Sequence, residues 1–145
     1  MTIRAVAVGV EIAPTRKVVY QRALARQSFS DDSIHNDEYT RGKGYPGALV
    51  SAYVLAGYMS EPMVAFFGPS WFTTGRIDLT FIGRGVQQGD EVSCRGVVKE
   101  VVDEDVGNCR VILDVWMEKT DGTKAVVGEA SALWAGRGER RDPVT

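Results

Sequence analysis

The stretch from Ala48 to Met59, ALVSAYVLAGYM, carries apolar side chains on almost every side. A helix with this pattern is buried, because other elements of the fold must cover each of its faces. We therefore expect the fold to be built around a buried helix that starts at Gly47. The run Ser60-Glu61-Pro62 then predicts a second, short helix that ends at Phe67, with a bend at Pro62 as the alternative.

Downstream of Gly75 the apolar residues recur at every second position, which is typical of strands with one buried face. Such runs occur at 77–81, 92–96, 109–117 and 125–134. The pair Asp121-Gly122 separates two of them and predicts a type I′ hairpin. An antiparallel sheet of this kind needs an apolar partner, and the helix from Gly47 is the only all-apolar helix available.

The sequence therefore predicts an α+β protein with one domain over residues 1–145, a curved antiparallel β-sheet wrapped around a central α-helix. Residues 136–145, GRGERRDPVT, are too polar for a core and predict a frayed tail. Upstream, Thr15 begins a segment, RKVVYQRALARQ, that favours a helix, although a strand through Val18 to Leu24 fits it as well.

Composition excludes several classes of function. The net charge is −2 and basic residues alternate with acidic ones, so nucleic acid is not an expected partner. The longest N-terminal apolar run, Ala5–Val10, is too short to cross a membrane, which predicts a cytoplasmic protein. Cys94 and Cys109 match no common zinc spacing, so we expect two buried free thiols and no metal site.

The run SDDSIHND, residues 30–37, brings three carboxylates and the single histidine of the chain into eight residues. His35 is the one side chain whose ordinary pKa lets it both donate and accept protons near neutral pH. Such a run also forms solvated turns, since Asp, Ser and Asn bond to local backbone. The residues alone leave both interpretations open.

The surrounding sequence resembles the MaoC-like family of hot dog fold proteins, which includes (R)-specific enoyl-CoA hydratases and related dehydratases. The family signature Ser-Gly-Asp-x-Asn-Pro-x-His-x-Asp aligns without gaps on residues 28–37, SFSDDSIHND, and agrees at Ser28, His35 and Asp37. GKGYPG resembles the loop before the hot dog helix, and RIDLTFIGRGVQQGDEVSCRGVV resembles a strand-turn-strand unit of the family. The resemblance spans about Thr15 to Trp134, and it implies a single hot dog domain.

The resemblance implies a hydratase or dehydratase of enoyl or 3-hydroxyacyl thioesters. Coenzyme A or an acyl carrier protein enters only as part of the substrate, and no cofactor is implied. His35 would carry the proton. Ser30 stands where the family has the aspartate that helps to activate water, so Asp31 or Asp32 would have to take that role, or His35 would act without it.

Further residues of the site follow from the same resemblance. Backbone N–H groups at the helix start, at Gly47 and Ala48, would bind the thioester carbonyl as an oxyanion hole. Tyr53 and Trp71 would line the acyl pocket, although a place in the plain core is the alternative for both.

Two other functions stay open on the sequence. Some hot dog proteins are thioesterases, and a non-catalytic subunit that binds an acyl group or completes a heteromeric dehydratase would suit the serine at Ser30. We also expect a homodimer with the site at its interface, because the edges of a curved sheet are open and members of the family pair them.

Overall fold

The computed structural model describes residues 3–19, 35, 37–45, 47–104, 107–135 and 139–141. Its helices are α1 (Asp37–Gly42), α2 (Ala52–Phe67) and α3 (Ser70–Thr74). Its strands are β1 (Ile3–Ala5), β2 (Thr15–Val18), β3 (Arg76–Phe81), β4 (Glu91–Asp103), β5 (Asn108–Lys119), β6 (Lys124–Ala135) and β7 (Glu139–Arg141).

One antiparallel sheet of five strands dominates the fold, in the order β2-β4-β5-β6-β3. Its inner face carries the buried alternate residues of β4 and β5, which are Val92, Cys94, Val98, Cys109, Val111, Leu113, Val115 and Met117. These side chains form one core with the buried face of α2. The architecture agrees with the predicted α+β class and with the predicted sheet around a central helix.

The central helix differs from the prediction at both ends. It starts at Ala52 instead of Gly47, and it continues through Pro62 to Phe67 without a break into two helices. A helix tolerates one proline when packing compensates for the lost hydrogen bond, and Pro62 and Met63 are both buried here. Gly68, with φ of 66°, ends the helix as predicted.

The helix is also less enclosed than its composition predicts. Among the described residues, the sheet covers the face that carries Leu55, Met59 and Met63. Tyr53 is 90% exposed, and Glu61 is exposed on the same side. A sheet contacts only one side of a helix, so an all-apolar sequence does not guarantee burial all round.

Three local predictions need correction. Thr15–Val18 is a strand that pairs with β4, so the helical alternative is wrong there, and residues 20–27 of the same segment lie outside the described residues. The hairpin at Asp121-Gly122 is present, but Gly122 alone has positive φ, so the turn is not type I′. Within the polar tail, Glu139–Arg141 pairs with Ile3–Ala5 instead of fraying.

The two cysteines are buried free thiols, as predicted. Burial raises the pKa of the Cys94 thiol from 9.0 to about 11. The unfolded chain therefore loses this proton first as the pH rises, and the free energy of unfolding should fall between pH 9 and about 11. We expect the wild-type protein to lose about 2 kcal/mol more across this range than Cys94→Ala does, measured by urea unfolding. Equal losses in the two proteins would contradict the raised pKa.

Candidate functional site

His35 lies before α1 and is half-buried, with its Nδ1 atom 2.7 Å from the backbone oxygen of Leu49. A carbonyl oxygen only accepts hydrogen bonds, so Nδ1 carries a hydrogen and donates it to Leu49. In the neutral ring, Nε2 is then the unprotonated nitrogen that can accept a proton. The contact with Leu49 thus fixes both the tautomer and one edge of the imidazole ring.

The segment that holds His35 is itself held by a neighbouring loop. Leu49 forms an antiparallel bridge with Gln87, and the N–H of Val50 donates to the backbone oxygen of Val86 at 2.7 Å. The Gln87 side chain also donates to the backbone oxygen of Gly47 at 3.4 Å. These contacts make 47–50 an extended segment and explain why the helix does not begin at Gly47.

Asp90 follows Gly89 in the turn before β4 and stabilises the loop that contacts Leu49. Its carboxylate accepts the Gln87 N–H at 2.9 Å and lies 3.4 Å from Nζ of Lys119. The backbone of Val19 donates to the backbone oxygen of Asp90 at 2.8 Å. The loop that supports Leu49 is therefore fixed to β2 and β5.

Gly85 of the same loop lies next to the Leu49 side chain. It has φ of +77°, and an added Cβ would lie 3.2 Å from the Leu49 side chain. Gly83 has a similar φ of +69°, but its Cβ would find only an ordinary contact of 3.7 Å with Lys124. The two glycines share the same backbone strain and differ in their contact with the residue that orients His35.

This difference predicts that Gly85→Ala disturbs His35 and that Gly83→Ala does not. Both variants should be less stable by about 1 kcal/mol, because alanine disfavours positive φ. Only Gly85→Ala should lower the turnover of the hydration that the family resemblance implies, by about tenfold. A small displacement of a reacting group slows a reaction strongly, and here the displaced group would be His35. Steady-state kinetics and the NMR signals of the His35 ring measure the effect. Equal turnover in the two variants would exclude a positioning role for Gly85.

A cavity of about 250 Å³ opens beside His35, between the start of α2 and the adjoining ends of β3 and β6. Its walls are mainly apolar side chains, which include Val50, Leu55, Phe81, Val86 and Ala125. His35 is the one titratable side chain in the lining among the described residues. An apolar cavity with one titratable side chain suits an acyl chain that gains or loses a proton at a single carbon atom.

The first turn of α2 meets this cavity at Ala52. The N–H groups of Val54 and Leu55 both donate to the backbone oxygen of Ser51, at 3.1 and 3.3 Å. The N–H groups of Ala52 and Tyr53 donate to no acceptor within the part of the chain that the structure describes. The positive end of the helix, with unpaired amides as at helix starts generally, therefore meets the cavity at Ala52.

The prediction that the helix starts at Gly47, with Gly47 and Ala48 in its first turn, is wrong. The helix begins at Ala52, because Leu49 and Val50 pair with Gln87 and Val86. Tyr53 does not line this cavity either, and its role at an acyl pocket stays a prediction. The Tyr53 side chain is 90% exposed and lies outside the cavity lining. One residue further along a helix turns a side chain by about 100°, so Ala52 and Tyr53 point in different directions.

Trp71 lies on α3, at the far end of the central helix from His35. Its ring stacks on Phe67 with 5.9 Å between centroids and 13° between planes. The helix between Ala52 and Phe67 is about 24 Å long, which separates Trp71 from the cavity. Trp71 therefore does not line this cavity and packs against the core, and its predicted role in acyl binding stays a prediction.

Ser30, Asp31 and Asp32 lie outside the described residues, so their roles stay predictions. The cavity lining also contains four residues that were not predicted from the sequence, Leu55, Phe81, Val86 and Ala125. Leu55 and Phe81 had been assigned only to the helix and a strand. Alternation alone does not tell which end of a strand faces a cavity.

No membrane-spanning helix occurs among the described residues, since none is both long and apolar enough. The same residues contain no group of three or more His, Cys, Asp or Glu side chains that could hold a metal ion. The predicted lack of a metal site stays a prediction, because Asp31 and Asp32 are not among them.

No protein-family profile matches this sequence. A search of curated protein sequences likewise finds no match. Similar proteins are found among solved structures.

Several solved structures share the fold. A MaoC-like dehydratase from Rhodospirillum rubrum superimposes with a TM-score of 0.72 at 18% identity, covering 91% of this chain and 94% of that one. The R-hydratase PhaJ1 from Pseudomonas aeruginosa gives 0.68 at 17% identity, covering 97% and 92%.

A third similar structure belongs to a heteromeric complex, the HadBC 3R-hydroxyacyl-ACP dehydratase of Mycobacterium tuberculosis. It gives a TM-score of 0.61 at 18% identity and covers 87% of this chain and 96% of that one. The resemblance noted from residues 28–37 is thus matched by a resemblance in three dimensions. The chain has the hot dog fold, in the form seen in MaoC-like dehydratases and R-hydratases.

Proposed function

We propose that the protein adds water to 2-enoyl thioesters, or removes it from 3-hydroxyacyl thioesters, in the cavity beside His35. The proposal rests on how two groups of the cavity are arranged. An imidazole with a fixed tautomer and the amide end of a helix meet at the same apolar chamber. The similar fold of MaoC-like dehydratases and R-hydratases supports this class of reaction.

The thioester carbonyl would accept a hydrogen bond from the N–H of Ala52 or Tyr53. Negative charge collects on that oxygen when the β-carbon is attacked, and the positive helix end stabilises it. One comparable backbone or side-chain donor in a protease contributes roughly 3–4 kcal/mol to the transition state. We therefore move the oxyanion role from Gly47 and Ala48 to the true first turn.

His35 would serve as the proton carrier through Nε2. In hydration, the oxygen of water bonds to the β-carbon, the electrons of the double bond move towards the α-carbon, and the enolate takes up a proton there. Nε2 can accept the proton that leaves the water and supply the proton that the α-carbon receives. Asp31 or Asp32 would orient or activate the water, and coenzyme A or an acyl carrier protein would be present only as the carrier of the acyl chain.

Crotonyl-CoA and its saturated analogue butyryl-CoA test this proposal against the thioesterase alternative. We expect the absorbance of the conjugated double bond of crotonyl-CoA to fall without release of free thiol. Free thiol from butyryl-CoA would indicate hydrolysis instead. A protein that binds both compounds but neither lowers the absorbance nor releases thiol would favour the third alternative, a non-catalytic subunit of a heteromeric dehydratase.

Ser30→Asp tests the point at which the sequence departs from the family signature. If the site keeps the geometry of the family, an added carboxylate should raise the rate of crotonyl-CoA hydration, by up to about a hundredfold for a restored general base. Ser30→Asn is the matched control, because it has nearly the same shape but no basic oxygen. Equal rates for both variants would leave Asp31, Asp32 or His35 alone as the water base.

The proposed assembly is a homodimer with the site next to its interface. Phe81 lines the cavity and belongs to β3, an edge strand of the sheet. A subunit paired along that edge would border the acyl chamber. The cytoplasmic location and the lack of a cofactor are also proposed, on the sequence alone.

A further inference from the structure

A second cavity, of about 290 Å³, lies on the outer face of the sheet, where β5, β6 and β3 run side by side. Arg110 and Ile112 line it, and along β5 they alternate with the core residues Val111 and Leu113. Successive side chains of a strand point to opposite faces of a sheet, so the sheet separates this outer-face cavity from the one beside His35.

The outer-face cavity is bordered by a nearly buried cation, Arg110, whose side chain is 9% exposed. Its Nε donates to the Glu104 carboxylate at 2.8 Å, and its Nη1 donates to the backbone oxygen of Thr74 at 3.2 Å and to Oγ of Ser131 at 3.1 Å. Its Nη2 donates to none of the described residues. Buried polar groups are normally paired, so these two N–H groups suit a ligand that accepts hydrogen bonds.

The charged side chains of the lining are separated into two ends. Arg76 stands opposite Ser131 in the register of β3 and β6, and Asp78 stands opposite Glu129 two positions further along. Because Ser131 also accepts the hydrogen bond from Arg110, both arginines belong to the same end. Two residues of a strand span about 7 Å, so a cationic end and an anionic end lie about this far apart.

Each end carries one charge that has no partner within the described chain. Arg76 and Asp78 are neighbours on this face, yet neither forms an ion pair with the other or with any other described residue. Glu129 is already paired with Nζ of Lys99 at 2.8 Å, and Arg110 has its own carboxylate partner. The cavity therefore offers one uncompensated cation, one uncompensated anion and the two spare N–H groups of the buried guanidinium.

We propose that the outer-face cavity binds a small zwitterion, a compound in which a short carbon chain joins a carboxylate to an ammonium group. The carboxylate accepts hydrogen bonds from Arg76 and from Nη2 of Arg110, since guanidinium groups match carboxylates in geometry and charge. The ammonium group lies beside Asp78. A simple anion leaves Asp78 uncompensated and a simple cation leaves Arg76 uncompensated, so a ligand with both charges fits best. The cavity volume is at the lower end of the range for ligand pockets, which favours a small molecule.

The site is independent of the proposed hydratase activity, because its lining shares no residue with the cavity beside His35. It is also compatible with a partner strand along β3. Backbone pairing at a sheet edge runs in the plane of the sheet, so the outer face stays accessible.

Titration of the protein with 4-aminobutyrate, followed by NMR, tests the site directly. We expect saturable shifts of the amide signals of Ile112 and Ser131, with a dissociation constant of about 1 mM, as for a small ligand held mainly by two charges. Butyrate and butylammonium each carry one of the two charges on the same carbon chain, and they should bind at least about tenfold more weakly. Shifts that do not saturate, shifts confined to the residues around His35, or equal binding of the three compounds would overturn the proposal.

Arg76→Gln and Asp78→Asn test the two ends separately, and both side chains are exposed, so both variants should fold as the wild type does. Each should weaken the binding of 4-aminobutyrate by about tenfold or more. Arg76→Gln should also weaken the binding of butyrate, whereas Asp78→Asn should not. Lys124→Gln is the matched control, because Lys124 lies over the Trp116 ring on the same face but outside the cavity lining.

Wild-type affinity for 4-aminobutyrate in both cavity variants, or an equal loss in Lys124→Gln, would overturn the site. The hydration of crotonyl-CoA should be the same in all three variants and the wild type. A wild-type protein that binds 4-aminobutyrate but does not hydrate crotonyl-CoA would contradict the proposed function and support this site.

Discussion

Replacing His35 with alanine is expected to lower the turnover of crotonyl-CoA hydration by at least about a hundredfold, the usual contribution of general acid–base catalysis. The variant loses the imidazole that the structure places at the apolar cavity. It also loses the hydrogen bond to Leu49, which should cost only about 1 kcal/mol of stability. Stopped assays on the purified variant, with circular dichroism to verify folding, measure both effects.

His35→Gln is the matched variant for this test. Its side-chain amide can still donate to the backbone oxygen of Leu49, but it cannot carry a proton at neutral pH. The glutamine variant should therefore be as stable as the wild type and as inactive as the alanine variant. Turnover near the wild-type level in either variant would end the assignment of His35 as the proton carrier.

Gly128→Ala is expected to destabilise the protein by about 3 kcal/mol, in the upper part of the range for overpacked positions. Gly128 lies on β6 opposite Leu79 of β3. A Cβ added there would overlap the backbone oxygen of Asp78 and lie 3.0 Å from its carbonyl carbon. Backbone cannot rotate away as a flexible side chain can, so β3 and β6 must separate.

Gly57→Ala is the control for this substitution. Gly57 lies within α2, and a Cβ added there meets nothing within 4 Å. Alanine in a helix should stabilise the protein by up to about 1 kcal/mol. Urea unfolding of the two variants should therefore shift in opposite directions. A Gly128→Ala protein as stable as the wild type would show that the strands are packed more loosely than the structure indicates.

Most of the fold could be predicted from the sequence because its signals are local. The alternation at 77–81 and 109–117 indicated strands, and the structure confirms both. The buried face is confirmed for 109–117, whereas Ile77 and Phe81 on the edge strand are 36% and 45% exposed. Gly68 ended the helix as a glycine in this conformation should. Thr15–Val18 was mistaken for helix because its residues suit either state, and its pairing with β4 decided the outcome.

The site was predictable only in part. His35 was identified from its polar neighbours and from the resemblance of residues 28–37 to a known signature. The helix start was misplaced because the apolar run begins at Ala48, whereas the helix begins at Ala52. The cause is the contact of 49–50 with 86–87, nearly forty residues further along, which no local pattern reveals.

A crystal structure with bound butyryl-CoA tests the central claim most directly, because this saturated thioester cannot be hydrated. We expect the acyl chain in the cavity between α2 and the ends of β3 and β6, with the β-carbon beside the ring of His35. The thioester oxygen should lie within about 3.2 Å of the N–H of Ala52 or Tyr53. An acyl chain bound elsewhere, or a carbonyl that faces away from the helix start, would contradict the account.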